Sequence, residues 1–237
     1  SSRRQRQMCI RDRIKSCGEE VPSWITDMLD SGAKSFYVFE DGKKKFYDIN
    51  TKKYKTVPSS ENHYILDAFR ENKQILKNPE CTVHDIGDGV MCIEFQTKGN
   101  SIGEGIAKGI NEAIDIAEKD GWNGIVIGNN DKQFSVGANL MNMGMMAMQK
   151  NFEEIEKFLV GFQKILMRMR TCNVPVVSAT HGFVLGGGLE VSIHCDAGIH
   201  ASESYIGLVE AGVGLIPGGG GTKEMAMRAS DSFNSGD

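Results

Sequence analysis

What this sequence lacks narrows its activity before any motif is read. No apolar run approaches the ~20 residues that a membrane-crossing helix requires, so no membrane span is expected. Positive charge is not in surplus: 27 Lys and Arg stand against 31 Asp and Glu, a net charge of −4. That is the wrong sign for a surface that tracks nucleic acid. The six cysteines, Cys9, Cys17, Cys81, Cys92, Cys172 and Cys195, form no CxxC pair and keep no zinc-like spacing with histidine. They read as reduced core thiols of a cytoplasmic protein, and no metal site is expected. The run GGGGTK sets Thr222 ahead of Lys223, which breaks the order of a phosphate-binding loop. Gly103-x-Gly105 and Gly212-x-Gly214 lack the rest of a dinucleotide fingerprint, and no strand–glycine–helix unit precedes them. An NAD-binding region is therefore not expected in this chain.

What is present is an ordinary globular composition, with 237 residues of which 40% are hydrophobic and 24% charged. The chain is organised around Thr180 to Thr222. Glycines 186, 187 and 188 stand at a loop-to-helix junction, Glu190 follows inside an apolar run, and Glu210 lies in the apolar segment YIGLVEAGVGLIPG. Glycine lets backbone N–H groups approach a ligand closely, and a helix start leaves such groups unpaired. Two carboxylates in apolar surroundings are candidates for proton transfer near neutral pH. Amides that stabilise an anion, combined with paired acids, point to chemistry through an enolate.

Before and after that stretch the pattern changes character. Residues 1–12 carry four arginines with no apolar region behind them and read as a non-native tail. Residues 13–78 form a small region of their own. There Ser23 is expected to cap a short helix after Val21-Pro22. SFYVFEDGKKKFYDI predicts a hairpin around Asp41-Gly42, with its lysines on a solvated edge. An amphipathic helix is expected next, with Ile65, Leu66, Phe69, Ile75 and Leu76 on one stripe. Residues 79–237 read as α/β. CTVHDI and VMCIEF are strands, and residues 101–120 a helix with Ile102, Ile106, Ile110, Ile114 and Ala117 inward, stopped by Gly121. GIVIG is a strand covered on both faces. A helix from Phe152 to Arg170 and the strand VPVVSAT then lead to the glycine triplet.

VSATHGFVLGGGLEVSIHCDAGIHA followed by IGLVEAGVGLIPGGGGT resembles the core signature of the enoyl-CoA hydratase (crotonase) family. GIVIGNNDKQFSVGANL resembles that family's other oxyanion loop, and the resemblance runs from about Thr82 to Thr222. It implies a ββα spiral, incomplete at the C-terminus because family members continue through further helices. It implies that the backbone N–H groups of Ala138 and Gly187 hold a thioester oxygen. Glu190 would deprotonate water, Glu210 would protonate Cα, and the N–H of Gly218 would hold the water. Either glycine loop alone would read as a tight turn; both together, with Glu190 three residues after Gly187, favour the functional reading. Asn139-Leu140-Met141 departs from the family's acidic residue and following lysine, so charge contact with CoA from that loop is not implied. Methionines 141, 143, 145, 146 and 148 read equally as an acyl-binding wall or as ordinary packing. Residues 13–78 resemble the end of a 3-hydroxyacyl-CoA dehydrogenase and its linker, as in fused β-oxidation enzymes. The expectation is thus a piece of a multifunctional enzyme, truncated at both ends. It would hydrate a trans-2-enoyl-CoA without metal or redox cofactor, within an oligomer or multienzyme complex. A Δ3,Δ2-enoyl-CoA isomerase using Glu210 alone, or a non-catalytic acyl-CoA-binding fragment, are the alternatives.

Overall fold

The structure is a computed structural model that describes residues 14, 16–33, 35–40, 43–58, 63–69 and 73–235. The expected tail over 1–12 and the hairpin turn at Asp41-Gly42 lie outside the described residues. The chain divides into two compact units, residues 1–69 and 70–237.

In the first unit, helix α1 (Ser23–Asp30) has Pro22 at its N-cap and no side-chain cap, so Ser23 does not cap it as expected. Pro22 is extended, with φ −51 and ψ 136, and its carbonyl accepts from the Ile25 N–H, so Ser23 is already the first helical residue. Strands β1 (Tyr37–Glu40) and β2 (Lys43–Asp48) pair antiparallel as the hairpin pattern anticipates. A third strand, β3 (Lys53–Thr56), adds to β2 and was not anticipated. Among the described residues of this unit, the buried apolar side chains are Met28, Tyr47, Leu66 and Phe69.

The helix expected over 65–76 is replaced by two other elements. Leu66–Ala68 is a single 3-10 turn, and β4 (Gln74–Lys77) is a strand that pairs antiparallel with β5 (Cys81–Gly87). The apolar stripe is divided rather than shared: Leu66 and Phe69 are buried in the first unit, whereas Ile75 and Leu76 pack on the core of the second. The Asn78 side chain closes the β4–β5 turn by accepting from the N–H groups of Glu80 and Cys81. Because β4 belongs to this sheet, the boundary between units falls at 69/70 rather than at 78/79.

The second unit continues with β6 (Val90–Phe95), α2 (Glu104–Asp120), β7 (Gly124–Ile127), α3 (Leu140–Met148) and α4 (Phe152–Thr171). Then come β8 (Val176–Thr180), β9 (Phe183–Leu185), α5 (Gly187–Ile193), β10 (Ala197–His200), β11 (Tyr205–Gly207) and α6 (Gly221–Ser235). One sheet has the order β10-β8-β7-β6-β5-β4, parallel from β10 to β6 and antiparallel beyond it. A second, small sheet pairs β9 with β11 in parallel. Helix α2 buries Ile106, Ile110, Ile114 and Ala117, one per turn, and ends at Gly121 in the left-handed region with φ 71. Helix α4 buries Phe162, Leu166 and Met169. Cys81, Cys92 and Cys195 are buried free thiols, while Cys17 is exposed. Desolvation pushes the Cys81 thiol up to about 11 and those of Cys92 and Cys195 to about 12. No described helix is long and apolar enough to cross a membrane.

The chain winds as a spiral in which each turn gives one strand to the large sheet and one segment to the small layer. After β7 comes the segment 135–138, after β8 comes β9, and after β10 comes β11. Ser135 bridges Val184 of β9, and Ala138 bridges Ile102. Successive turns are thus stacked in register where the glycine loops lie.

Candidate active site

Ala138 and Gly187 occupy equivalent places in adjacent turns of the spiral. Ala138 ends the small-layer segment after β7, and Gly187 opens α5 directly after β9. Since Ser135 runs beside Val184, the ends of the two segments are neighbours. Gly187 N stands 3.2 Å from the Cβ position of Gly137, and Ala138 N stands 3.4 Å from that of Gly187. Gly137 and Gly186 have φ of +94 and +50, a region that side chains avoid. A Cβ on Gly137 would also stand 2.8 Å from the Leu185 carbonyl oxygen. The bridge to Ile102 uses the Gly137 carbonyl and the Asn139 N–H, at 2.8 and 3.1 Å, and passes over the N–H of Ala138. Among the described residues, neither the Ala138 nor the Gly187 N–H has a protein acceptor. Two adjacent unpaired amides of this kind are a ready-made cradle for an oxyanion.

Glu190 lies one helical turn beyond Gly187 and is 2% exposed. Its Oε1 accepts from the N–H groups of Gly219 at 2.8 Å and Gly221 at 2.9 Å. Among the described residues, Oε2 receives no hydrogen bond. Burial raises the Glu190 pKa above its ordinary value; the Gly221 and Gly219 amides oppose the rise, and the Glu210 charge adds to it. Glu210 opens a 3-10 turn, Glu210–Val213, just after β11. Its Oε1 is 3.0 Å from the Cβ position of Gly186, and its buried Oε2 has no hydrogen-bond partner among the described residues. The β9–β11 pairing explains the meeting of carboxylates so far apart in sequence: the Gly186 N–H donates to the Gly207 carbonyl at 2.9 Å, which sets the chain after β11 against the glycine turn.

Four of the five expected site residues, Ala138, Gly187, Glu190 and Glu210, gather around the 186–188 turn. Gly218 precedes Gly219 in the chain; its carbonyl accepts from Gln163 Nε2 at 2.6 Å, and among the described residues its N–H has no protein acceptor. The amides on Glu190 are those of Gly219 and Gly221, which the sequence reading passed over; the GGGG run was the available signal. Helix α3 lines a neighbouring cavity of about 130 Å³ with Asn142, Met143 and Met146, facing Ile102 and Phe158. Neither glutamate lines it. Methionines 141, 145 and 148 are exposed. Among the described residues there is no cluster of His, Cys, Asp or Glu able to hold a metal ion.

The sequence model of the family described as Enoyl-CoA hydratase/isomerase matches residues 85–233. A probable 3-hydroxyacyl-CoA dehydrogenase of Bacillus subtilis (strain 168) is 39% identical over 228 residues, covering 94% of this chain and 28% of that protein. A putative fatty acid oxidation complex trifunctional enzyme of Rickettsia felis is 30% identical over 183 residues, covering 76% of this chain and 25% of its own length. This chain therefore spans about a quarter of the length of those relatives. The crystal structure of an enoyl-CoA hydratase from Polaromonas sp. JS666 superposes with a TM-score of 0.59 at 24% identity, over 62% of this chain and 58% of that one. That likeness identifies the fold as crotonase-type. With its family signature, its paired glycine loops and its spiral together, the chain belongs to the enoyl-CoA hydratase/isomerase family.

Proposed function

We propose that this chain is the enoyl-CoA hydratase portion of a larger fatty-acid oxidation enzyme. It would add water syn across the double bond of a trans-2-enoyl-CoA to give the 3-hydroxyacyl-CoA. The observation that carries the reading is the convergence of Glu190 and Glu210 on the glycine turn that bears the Gly187 amide. Hydration needs both carboxylates, whereas shifting a double bond can proceed with one.

In this mechanism Oε2 of Glu190 takes a proton from water as the water oxygen bonds to Cβ. The π electrons move toward the thioester oxygen, where the N–H groups of Ala138 and Gly187 stabilise the negative charge. One such donor is worth ~2.7–4 kcal/mol. Glu210 delivers a proton to Cα as the enolate collapses. The Gly219 and Gly221 amides fix Oε1, which leaves the other oxygen of Glu190 to orient the water. This chemistry calls for neither metal nor redox cofactor. The resemblance of the N-terminal region to a dehydrogenase, with the names of the Bacillus and Rickettsia relatives, supports a multifunctional parent working in a complex, for which we propose a cytoplasmic location.

The test is turnover of crotonyl-CoA by the chain and its variants. Glu190→Gln and Glu210→Gln should each reduce hydration by ~10²–10⁴-fold, with CoA-ester binding kept. If Glu190→Gln spares hydration while Glu210→Gln abolishes activity, the two-carboxylate mechanism fails. Double-bond isomerisation that survives Glu190→Gln would then select the isomerase.

A further inference from the structure

Behind Glu190 lies a set of polar contacts that the mechanism above does not use. His194, the C-cap of α5, donates from Nδ1 to the Glu190 carbonyl at 2.7 Å. Its Nε2 stands 3.7 Å from Oε1 of Glu224, which is 0% exposed on the first turn of α6. The other oxygen of Glu224 takes the Arg170 guanidinium from the end of α4, and Lys223 lies 3.0 Å from Oε1 as an ion pair. The Glu224 N–H donates to the Gly220 carbonyl at 3.0 Å, which ties Glu224 to the turn carrying Gly219 and Gly221. The amides of those two glycines return to Oε1 of Glu190. Burying a carboxylate is expensive unless it is paired. Glu224 is paired from two helices at the place where three helix ends meet.

We propose that Arg170, His194 and Glu224 are positioning residues for Glu190, holding the first turn of α6 against the end of α5. The Gly219 and Gly221 amides then stay on Oε1, and Oε2 stays turned toward the attacking water. The purpose of this positioning rests on the hydratase reading; its geometry does not. Burial favours the protonated form of Glu224, but Lys223, His194 and Arg170 outweigh that and hold its pKa below the ordinary value, so the anchor remains charged. The charged group that acts on the Glu190 carboxylate is Glu210 from the 3-10 turn, whose like charge adds to the rise in its pKa, while His194 touches only the Glu190 backbone carbonyl. The Gly221 and Gly219 amides oppose that rise by favouring its ionised form.

The experiment is a carboxyl-carbon NMR titration of Glu190 in the chain, assigned with Glu190→Gln and run beside the pH profile for crotonyl-CoA. In Glu224→Gln the guanidinium anchor weakens, the amides slip from Oε1, and Glu190 should titrate at higher pH than in the unaltered chain. The acid limb of kcat/KM should move up with it. We expect kcat to fall roughly tenfold, part of the ~10²–10⁴-fold that acid–base groups supply, with KM within about threefold. Arg170→Lys, with Glu224 unaltered, keeps a cation on Glu224 and should leave both titration and rate close to those of the unaltered chain. A folded Glu224→Gln whose Glu190 titrates as before overturns the proposal. If that variant does not fold, His194→Phe decides: it removes the bond to the Glu190 carbonyl while keeping a ring, and an unmoved titration has the same meaning. A chain that shows no hydration at all while the titration shifts as expected would overturn the hydratase reading and leave the positioning intact.

Discussion

At the scale of single residues, the tension in this site sits on Glu190, a charge kept in a place that disfavours it. Its folded pKa is raised above the ordinary value of 4.5, so between those two values the folded chain binds a proton that the unfolded chain has released. Stability therefore falls as pH rises through that window. Glu190→Gln keeps an oxygen for the Gly219 and Gly221 amides and removes the buried charge. The variant should melt at a higher temperature than the unaltered chain at pH 7, and its melting temperature should vary less with pH across the weakly acidic range. Scanning calorimetry at several pH values measures both effects, and a lower melting temperature at pH 7 would contradict the account. Glu190 and Glu210 could be picked out in the sequence because a carboxylate inside an apolar run is rare and conspicuous. The amides of Gly219 and Gly221 could not: four successive glycines do not declare which N–H faces the carboxylate. Glu224 is less legible still, because its partners Arg170 and His194 come from other helices and nothing local announces them.

Among the elements, those with a strong period were readable and the short ones were not. Helix α2 shows its four-residue apolar repeat plainly, and Gly87-Asp88-Gly89 marks a clear turn between two strands. Strands β9 and β11 have three residues each, too few for any period, yet their pairing is what brings Glu210 to Gly186. The stripe over 65–76 misled because two short apolar clusters happened to fall at helical spacing while belonging to different units. The packing of α2 on β5 offers a sharp test at this scale. A Cβ on Gly109 would stand 2.1 Å from the Cys81 sulfur but 3.8 Å from its Cβ. Gly109→Ala gains ~1 kcal/mol of intrinsic helix preference, yet overpacking should cost ~1–3 kcal/mol and leave the variant less stable. Adding Cys81→Ala removes the sulfur and should recover most of that loss. Urea denaturation of the two single variants and the double gives the coupling, and an additive result would refute the contact.

At the scale of the whole molecule, the boundary at 69/70 has a direct consequence for where the chain can be cut. A chain beginning at residue 70 retains β4 on the edge of the six-stranded sheet, whereas one beginning at residue 79 exposes the backbone of β5. The first should unfold cooperatively by circular dichroism; the second should be less stable or aggregate through the bared edge. Equal stability of the two would show that β4 contributes nothing. The buried thiols carry a consequence of a different sort. A cysteine is alkylated through its thiolate, and Cys81, Cys92 and Cys195 are both shielded and held almost wholly as thiols at neutral pH. Cys17, in the first unit, is open to solvent. Iodoacetamide should therefore mark Cys17 at once and reach the other three only during the moments when the second unit opens. Mass spectrometry of timed samples would turn those three positions into a stopwatch for how often the second unit breathes, with Cys17 as the starting gun.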